Sequence, residues 1–169
     1  MSIKKAIDQL EALVTDPSKG LGEDVFYMVS RLTPLVNVDL LIRDVAGRIL
    51  LTWRSDIYHG DGWHIPGGIL RYKEVFSDRV IAVAASELQT TVSFSEEPQS
   101  IQQNFNNIAT RGHFVSLLFA CKLTGNLPQN MQFMGGTPKV GEWCWFKEVP
   151  DDMLEIHKKM YKSLFSPGL

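Results

Sequence analysis

The segment that decides the fold reads GGILRYKE at residues 67–74 and continues as VFSDRVIAVAASELQ at residues 75–89. Two glycines directly after Pro66 allow a tight turn in which the backbone can come close to a ligand. The second part has apolar residues at helical spacing, which predicts a helix over residues 74–88. A glycine turn that leads into a long helix is therefore expected near the middle of the chain.

One carboxylate of this helix is predicted to lie within its apolar stripe. At about 100° per residue, Glu87 projects roughly 40° from Val83 and roughly 20° from Val80 on the helix surface. An unpaired carboxylate is costly to bury, so it needs a cation or strong hydrogen-bond donors. A divalent metal shared with a phosphate would satisfy it. A salt bridge to a nearby Arg or Lys, or an exposed position at a fraying helix end, would do so as well.

Apolar runs on both sides of this segment predict the strands of a sheet. The predicted strands are residues 37–42, 48–53, 113–123 and 142–146, with a short extended piece at 63–66. The first two are separated only by a turn at residues 44–47, which indicates a hairpin. Polar residues, with glycine or proline, predict loops at residues 54–62 and 125–141.

Three further helices are predicted at residues 3–15, at about 23–31 and after Pro150. Helices at both ends and in the middle of a set of strands predict an α/β/α sandwich, in which a mixed β-sheet carries helices on its faces. Residues 1–32 would form an N-terminal helical extension, and residues 33–169 the main domain. The extension could be a lid, an interface or simple packing.

Composition is that of an ordinary soluble domain, with 44% apolar and 21% charged residues among 169. The net charge of −2 gives no reason to expect nucleic acid or a membrane as partner. Cys121 and Cys144 lie far apart in apolar surroundings, so we expect reduced thiols and a reducing, cytoplasmic compartment. The first residues form an amphipathic pattern and not an unbroken apolar run, so no signal peptide is expected.

The central segment resembles a degenerate form of the Nudix box, whose pattern is G-x5-E-x7-R-E-U-x-E-E-x-G-U. Gly68 and Glu74 match at the required spacing, and Glu87 matches the last glutamate of the pair. Four other positions of the pattern are occupied here by Ala82, Val83, Ser86 and Gln89. In the family, three glutamates spaced i, i+3 and i+4 share one helix face and concentrate negative charge to hold Mg²⁺. This chain keeps only the last of them.

The resemblance extends beyond the box to the GDP-mannose mannosyl hydrolases of the same superfamily. The similar positions are TPLVNVD (33–39), GRILL (47–51), Arg54, Trp63, PGG (66–68) and the strand that begins at His113. The similarity covers about residues 33–147 and implies the Nudix fold, a homodimer and hydrolysis of a nucleotide sugar. In that subfamily water attacks the sugar carbon and the nucleoside diphosphate departs.

The resemblance also implies roles for individual residues. The backbone carbonyl of Gly67 and the carboxylate of Glu87 would hold Mg²⁺, or Mn²⁺, on the diphosphate, with Glu74 as a further metal-shell carboxylate. Arg54 would contact the diphosphate and stabilise the leaving group, since its planar guanidinium suits phosphate oxygens. Asp39 would contact the sugar or the nucleotide.

The general base cannot be carried over from the resemblance. The family's histidine and the metal-binding glutamine before it fall at Val140 and Lys139. Glu142, His113 or another group would therefore have to serve as the base. The alternatives are attack at phosphorus, as in most Nudix enzymes, and a binding or regulatory module without catalysis.

Some of these residues have a purely structural alternative. Glu74 could pair with Lys73 or Arg79 at the surface, where such pairs contribute little. No function is predicted for three histidines that lack metal-binding neighbours, His59, His64 and His157.

Overall fold

The computed structural model describes residues 2–165, in which helices and strands are interspersed. The helices are α1 (Ile3–Leu13), α2 (Glu23–Ser30), α3 (Phe76–Leu88) and α4 (Glu155–Tyr161). The strands are β1 (Leu35–Ile42), β2 (Ile49–Asp56), β3 (Gly60–His64), β4 (Gly67–Ile69), β5 (Val92–Phe94), β6 (Ser100–Phe105), β7 (His113–Leu123) and β8 (Trp143–Phe146). Residues 166–169, the end of the predicted main domain, lie outside the described residues.

The strands form two sheets. In the larger sheet β4, β1 and β7 lie side by side, and both β5 and β6 pair with the far edge of β7. β1 and β7 run parallel, from Leu35 opposite Phe114 to Ile42 opposite Cys121, and the other pairs are antiparallel. The smaller sheet has the antiparallel order β3-β2-β8. The predicted mixed sheet is therefore confirmed, with a second sheet beside it.

Each face of β1 contributes to its own apolar cluster, because side chains of a strand alternate between the two faces of the sheet. One cluster joins residues of α3 to the β1 side chains Val38, Leu40 and Ile42. In the other cluster Leu41 packs with residues of β2 and with Tyr161 of α4. Helices thus lie on both sides of the sheet, and the predicted α/β/α arrangement is confirmed.

The prediction that residues 37–42 and 48–53 form a hairpin is wrong beyond its first pair. Both strands exist, but only Arg43 and Ile49 are bridged, and the strands then enter different sheets. Most residues of β1 and the first half of β2 are buried. Strands buried on both faces need further neighbours, which β7 and β4 provide for β1 and β3 and β8 provide for β2.

The predicted loop at residues 54–62 is too long, because β2 continues to Asp56 and pairs with β3 as a hairpin, which leaves residues 57–59 as the turn. Asp56 closes its tip, where its carboxylate accepts the backbone N–H groups of Tyr58 (2.7 Å) and His59 (3.1 Å). The polar residues near the tip of this hairpin resemble a loop in the sequence, but in the structure residues 54–56 and 60–62 belong to the paired strands.

The last helix begins later than predicted. Met153 and Leu154 do not belong to it but extend beside β3, where Leu154 N donates to the Trp63 carbonyl at 3.0 Å. The helix starts at Glu155 once this strand-like contact ends. It presents His157, Met160 and Tyr161 to the interior.

Both N-terminal helices are confirmed, although they differ in how they meet the rest of the chain. No residue of α1 is buried among the described residues, whereas Ser30 at the end of α2 is 4% exposed. Two contacts join this end of α2 to the turn before β7. Ser30 Oγ accepts the backbone N–H of Arg111 at 3.1 Å, and Arg31 donates to Thr110 at 3.4 Å.

Both cysteines are free thiols, as predicted, with Cys121 buried and Cys144 half-buried. Burial raises the pKa of the Cys121 thiol to about 12, which keeps it protonated at neutral pH. Within residues 2–165, no helix has both the length and the apolar character needed to cross a membrane.

Candidate functional site

A cleft of about 500 Å³ lies between β2, the glycine turn at β4 and the end of α3. Its polar lining includes Asn37, Thr52, Arg54, His64, Glu87 and Arg111. A larger groove of about 820 Å³ runs between α2 and the strands β1 and β4, but its lining is mostly apolar. Arg54, Gly67 and Glu87, which the resemblance named as site residues, all line the smaller cleft, which is therefore the candidate site.

Glu87 lies in this cleft on the buried side of α3, as the helical spacing predicted. Its side chain is 28% exposed. Its Oε2 lies 3.4 Å from the backbone N–H donor of Gly67 and 3.5 Å from the Thr52 hydroxyl. Burial raises the pKa of Glu87 to about 7, although the positive charge of Arg54 acts in the opposite direction. In the absence of a bound cation, Glu87 therefore carries only part of its charge at neutral pH.

The raised pKa of Glu87 has a consequence for stability. The native state binds the proton more tightly than the unfolded chain, so stability should fall as pH rises from about 4.5 to about 7. We expect Glu87→Gln to remove roughly 1–3 kcal/mol of this decline. Urea unfolding with a chelator present, at pH 5 and pH 8, measures it for both proteins. Parallel pH dependences in the two proteins would contradict the prediction.

Arg54 and Arg111, which line the cleft with Glu87, share one carboxylate. Asp56 Oδ2 accepts hydrogen bonds from Arg54 at 2.6 Å and from Arg111 at 2.8 Å. Burial acts to raise the pKa of Asp56, but the backbone N–H of Tyr58 and the Arg111 guanidinium hold it well below its usual value. Asp56 therefore stays ionised and orients two cations with a single negative charge, which leaves this part of the cleft suited to an anion.

His64, for which no function was predicted, is part of the cleft together with Thr52. Its Nδ1 bonds to the Ile65 carbonyl at 2.8 Å, and its Nε2 lies 3.1 Å from the Thr52 hydroxyl. Burial lowers the pKa of His64 to about 3, so the ring is neutral. Its 3.8 Å approach to Glu87 is therefore not an ion pair. Thr52 and His64 are cross-strand partners in the β2–β3 hairpin, which the sequence did not reveal.

Asp39 lies opposite Gly67 in the pairing of β1 and β4, but its side chain has no exposed surface. Its carboxylate accepts hydrogen bonds from Ser116, from Tyr161 at 2.5 Å and from Asn37 at 2.6 Å. Burial raises the pKa of Asp39 to about 6, and these hydrogen bonds counteract the rise. Asn37, not Asp39, lines the cleft and is the β1 side chain placed to contact a ligand.

Glu74, predicted as a metal-shell carboxylate, is instead paired with Arg79. The two make a bidentate contact at 2.7 and 2.8 Å, and the backbone N–H of Arg71 donates to the same carboxylate at 2.9 Å. Both side chains are nearly buried, at 15% and 9% exposed. Glu74 therefore does not line the cleft. Its pairing with Arg79 is the structural alternative that the sequence offered, but the pair is more buried than the surface contact expected there.

Replacing Glu74 by Gln is expected to lower the free energy of unfolding by roughly 2 kcal/mol, because it leaves the Arg79 charge uncompensated. Although burial acts to raise the pKa of Glu74, Arg71 and Arg79 hold it below its usual value. The stabilisation is thus present above about pH 4.5 and is lost as pH falls further. Urea unfolding at pH 7 and pH 3 measures both effects, with exposed Glu148→Gln as control. Equal stability of the two variants at pH 7 would contradict the prediction.

Neither candidate base lines the cleft. Glu142 accepts the backbone N–H of Lys139 at 2.9 Å, and its neighbours Val140 and Gly141 line the cleft. His113 stacks on Phe105 with 4.3 Å between the ring centres, in the residue pair that borders the β6–β7 turn.

The residues of the cleft fit a divalent cation that takes few ligands from the protein. No group of three or more His, Cys, Asp or Glu side chains suited to a metal exists within residues 2–165. Glu87 is still a half-buried acid whose one titratable neighbour at ion-pair distance, among the described residues, is the neutral His64. Mg²⁺ is commonly held by one or two carboxylates, with substrate phosphates and water as its other ligands.

Comparison with known proteins agrees with this fold. The NUDIX domain family matches residues 33–164. The low-salt glycan biosynthesis protein Agl8 of Haloferax volcanii is 26% identical over 111 residues, which cover 63% of this chain and 70% of that protein. Two solved structures share the fold.

A possible asymmetric diadenosine tetraphosphate hydrolase from Jonesia denitrificans has a TM-score of 0.59 and 21% identity, over 82% of this chain and 99% of that one. A MutT NUDIX hydrolase from Burkholderia pseudomallei has a TM-score of 0.56 and 19% identity, over 75% and 95% of the two chains. The family match spans well over half of the chain, which therefore belongs to the NUDIX domain family, the family of the Nudix hydrolases.

Proposed function

We propose that the chain is a divalent-metal-dependent hydrolase of a nucleotide sugar, with a compound like GDP-mannose as the leading candidate. The observation that carries the proposal is the charge pattern of the cleft. Glu87 is the one acidic side chain that lines it among the described residues, and it shares the cleft with the guanidinium groups of Arg54 and Arg111. A carboxylate for a cation beside two arginines for phosphate oxygens suits a metal-bound diphosphate.

The residues of the cleft would divide the work in this reaction. Arg54 would bind phosphate oxygens through its planar guanidinium and stabilise the charge of the departing diphosphate. Asp56 keeps that guanidinium oriented before the substrate arrives. Glu87, with the Gly67 carbonyl, would hold the metal, which when bound supplies further electrostatic stabilisation of the diphosphate.

Two observations support a sugar as part of the substrate. Four residues from the segments that resemble the mannosyl hydrolases line the cleft, namely Asn37, Arg54, Gly67 and Gly68. The similar protein Agl8 is named for glycan biosynthesis, which fits a substrate that contains a sugar. Of the two candidate bases, Glu142 is better placed than His113, because its direct neighbour Gly141 lines the cleft and neither direct neighbour of His113 does.

The proposal is tested by incubating the protein with a panel of nucleotide sugars in Mg²⁺, Mn²⁺ or chelator. We expect turnover of at least one compound that depends on the metal. Hydrolysis in oxygen-18 water then identifies the attacked atom. Label in the sugar means attack at carbon, and label in the phosphate means attack at phosphorus.

A binding or regulatory module is the alternative, favoured by the apolar Val83 and the neutral Ser86 at two of the three glutamate positions that share one helix face in the box. Tight binding of a nucleotide sugar without turnover, unchanged by chelator, would support it. We also propose a homodimer from the resemblance to the mannosyl hydrolases. A stable monomer in gel filtration at working concentration would contradict it.

A further inference from the structure

The turn between β6 and β7 is tightly closed. The backbone N–H of Asn106 donates to the Gly112 carbonyl at 2.8 Å, and Asn106 Oδ1 accepts from the Ile108 N–H at 3.1 Å. A side chain at Gly112 would overlap the Ile108 carbonyl. Arg111, directly before it, has a φ of +60°, in the left-handed region that residues other than glycine seldom adopt. Such conformations persist only where the surrounding structure demands them.

This turn delivers the Arg111 guanidinium to the cleft. The side chain is 16% exposed and donates to Asp56 at 2.8 Å. The guanidinium also lies over the ring of Tyr58, 5.9 Å from its centre. With Arg54 it lines both the cleft and the smaller pocket next to it. The two arginines therefore face the same space from different elements of the fold.

The end of α2 contacts the backbone of Arg111. The backbone N–H of Arg111 donates to the buried Ser30 hydroxyl at 3.1 Å, and that hydroxyl donates to the Tyr27 carbonyl at 2.9 Å. The Tyr27 ring packs edge-on against Tyr58, with 5.1 Å between ring centres. One helix of the N-terminal extension thus contacts both the backbone of Arg111 and the aromatic ring beneath its guanidinium.

We propose that Arg111 is a second phosphate-binding residue and that α2 positions it through Ser30, so that the N-terminal extension is part of the substrate site. The inference rests on the proposed function, because it takes the ligand of the cleft to be a diphosphate. A diphosphate carries more negative charge than one arginine offsets. Two guanidinium groups held by one carboxylate present their remaining N–H donors to it.

The test uses the full chain and inorganic pyrophosphate as the probe, with and without Mg²⁺, measured by isothermal titration calorimetry. We expect Arg111→Gln and Arg54→Gln each to weaken pyrophosphate binding about tenfold or more, since each removes charge-assisted hydrogen bonds. Arg111→Lys should recover part of the loss because it keeps the charge without the planar donors. The control is Arg71→Gln, an exposed arginine outside the cleft, which should bind like the wild type.

Ser30→Ala tests the positioning by α2. We expect weaker pyrophosphate binding than in the wild type, by about threefold to tenfold for the loss of one hydrogen bond. With a nucleotide sugar that turns over, KM should rise while kcat changes little. Ser30→Thr, which keeps the hydroxyl, should restore binding. Ser93→Ala, an exposed serine on β5, serves as the matched control and should have no effect.

The outcomes separate this inference from the proposed function. If Arg54→Gln weakens pyrophosphate binding and a folded Arg111→Gln does not, the second phosphate contact is wrong and the proposed function stands. If Arg111→Gln weakens binding but Ser30→Ala behaves like Ser93→Ala, the positioning by α2 is wrong. If neither arginine affects binding and Glu87→Gln leaves turnover unchanged, the proposed function itself fails.

Discussion

Replacing Glu87 by Gln is expected to lower metal-dependent turnover by roughly 10²–10³-fold, since removal of one electrostatic contact at the reacting group has effects of that order. Glu87 is the one acid that lines the cleft among the described residues, so no neighbouring carboxylate can take its place. Gln has nearly the same shape as the protonated acid. Because the pKa of Glu87 is raised to about 7, the fold already accommodates the neutral form.

The measurement is kcat for the best nucleotide sugar across a Mg²⁺ titration, with the melting temperature of each protein. Loss of turnover in a variant that melts at or above the wild-type temperature separates a functional role from a structural one. Glu96→Gln, an exposed acid outside the cleft, should retain full turnover. Equal turnover of the Glu87 and Glu96 variants would exclude Glu87 as the residue that holds the metal.

Replacing Gly67 by Ala is expected to lower the free energy of unfolding by roughly 3 kcal/mol, the upper part of the range for overpacking a filled interior. A Cβ at Gly67 would overlap the Asp39 carboxylate and come within 2.9 Å of the Val38 carbonyl. Neither group can move cheaply. Asp39 is held by hydrogen bonds from Ser116, Tyr161 and Asn37, and the Val38 carbonyl belongs to the backbone of a central strand.

Urea unfolding measures this loss, and Gly68→Ala is the matched control. At Gly68 the nearest obstacle is one methyl group of the Val83 side chain at 2.9 Å, and no carboxylate or backbone atom lies as close, so the expected loss is smaller, about 1–2 kcal/mol. The Gly67→Ala variant should also lose pyrophosphate binding, because Gly67 lines the cleft and its backbone N–H lies 3.4 Å from Glu87. Equal losses for the two variants would show that the close approach of Asp39 to Gly67 is not rigid.

Local pattern was sufficient for much of the fold. The helix at Phe76–Leu88 and the strand at His113–Leu123 follow from apolar spacing that extends over ten or more residues. The buried position of Glu87 follows from the same spacing, because a helix of known phase places each residue on a definite face. Arg54 and Gly67 were named as site residues by the resemblance, and both line the cleft.

Other members of the cleft depend on contacts between distant residues. His64 faces Thr52 only because β2 and β3 pair, and Arg111 meets Asp56 only because the β6–β7 turn packs against the β2–β3 hairpin. No local sequence pattern predicts these two contacts, because neither His64 nor Arg111 belongs to an amphipathic repeat. Glu74 is the opposite case. It matches the box in sequence, but in the structure its carboxylate pairs with Arg79.

The sequence by itself determined the Nudix-type segment, the order of most helices and strands, and the single acid on the inner face of α3. The tertiary structure alone decided that β1 and β2 part into two sheets, that Asp39 is sealed inside while Asn37 lines the cleft, and that two arginines share Asp56. The physical reason is the separation along the chain of the residues that interact. Helix phase and strand alternation are set by neighbours along the chain, whereas burial and ion pairing are set by whichever distant segments pack together.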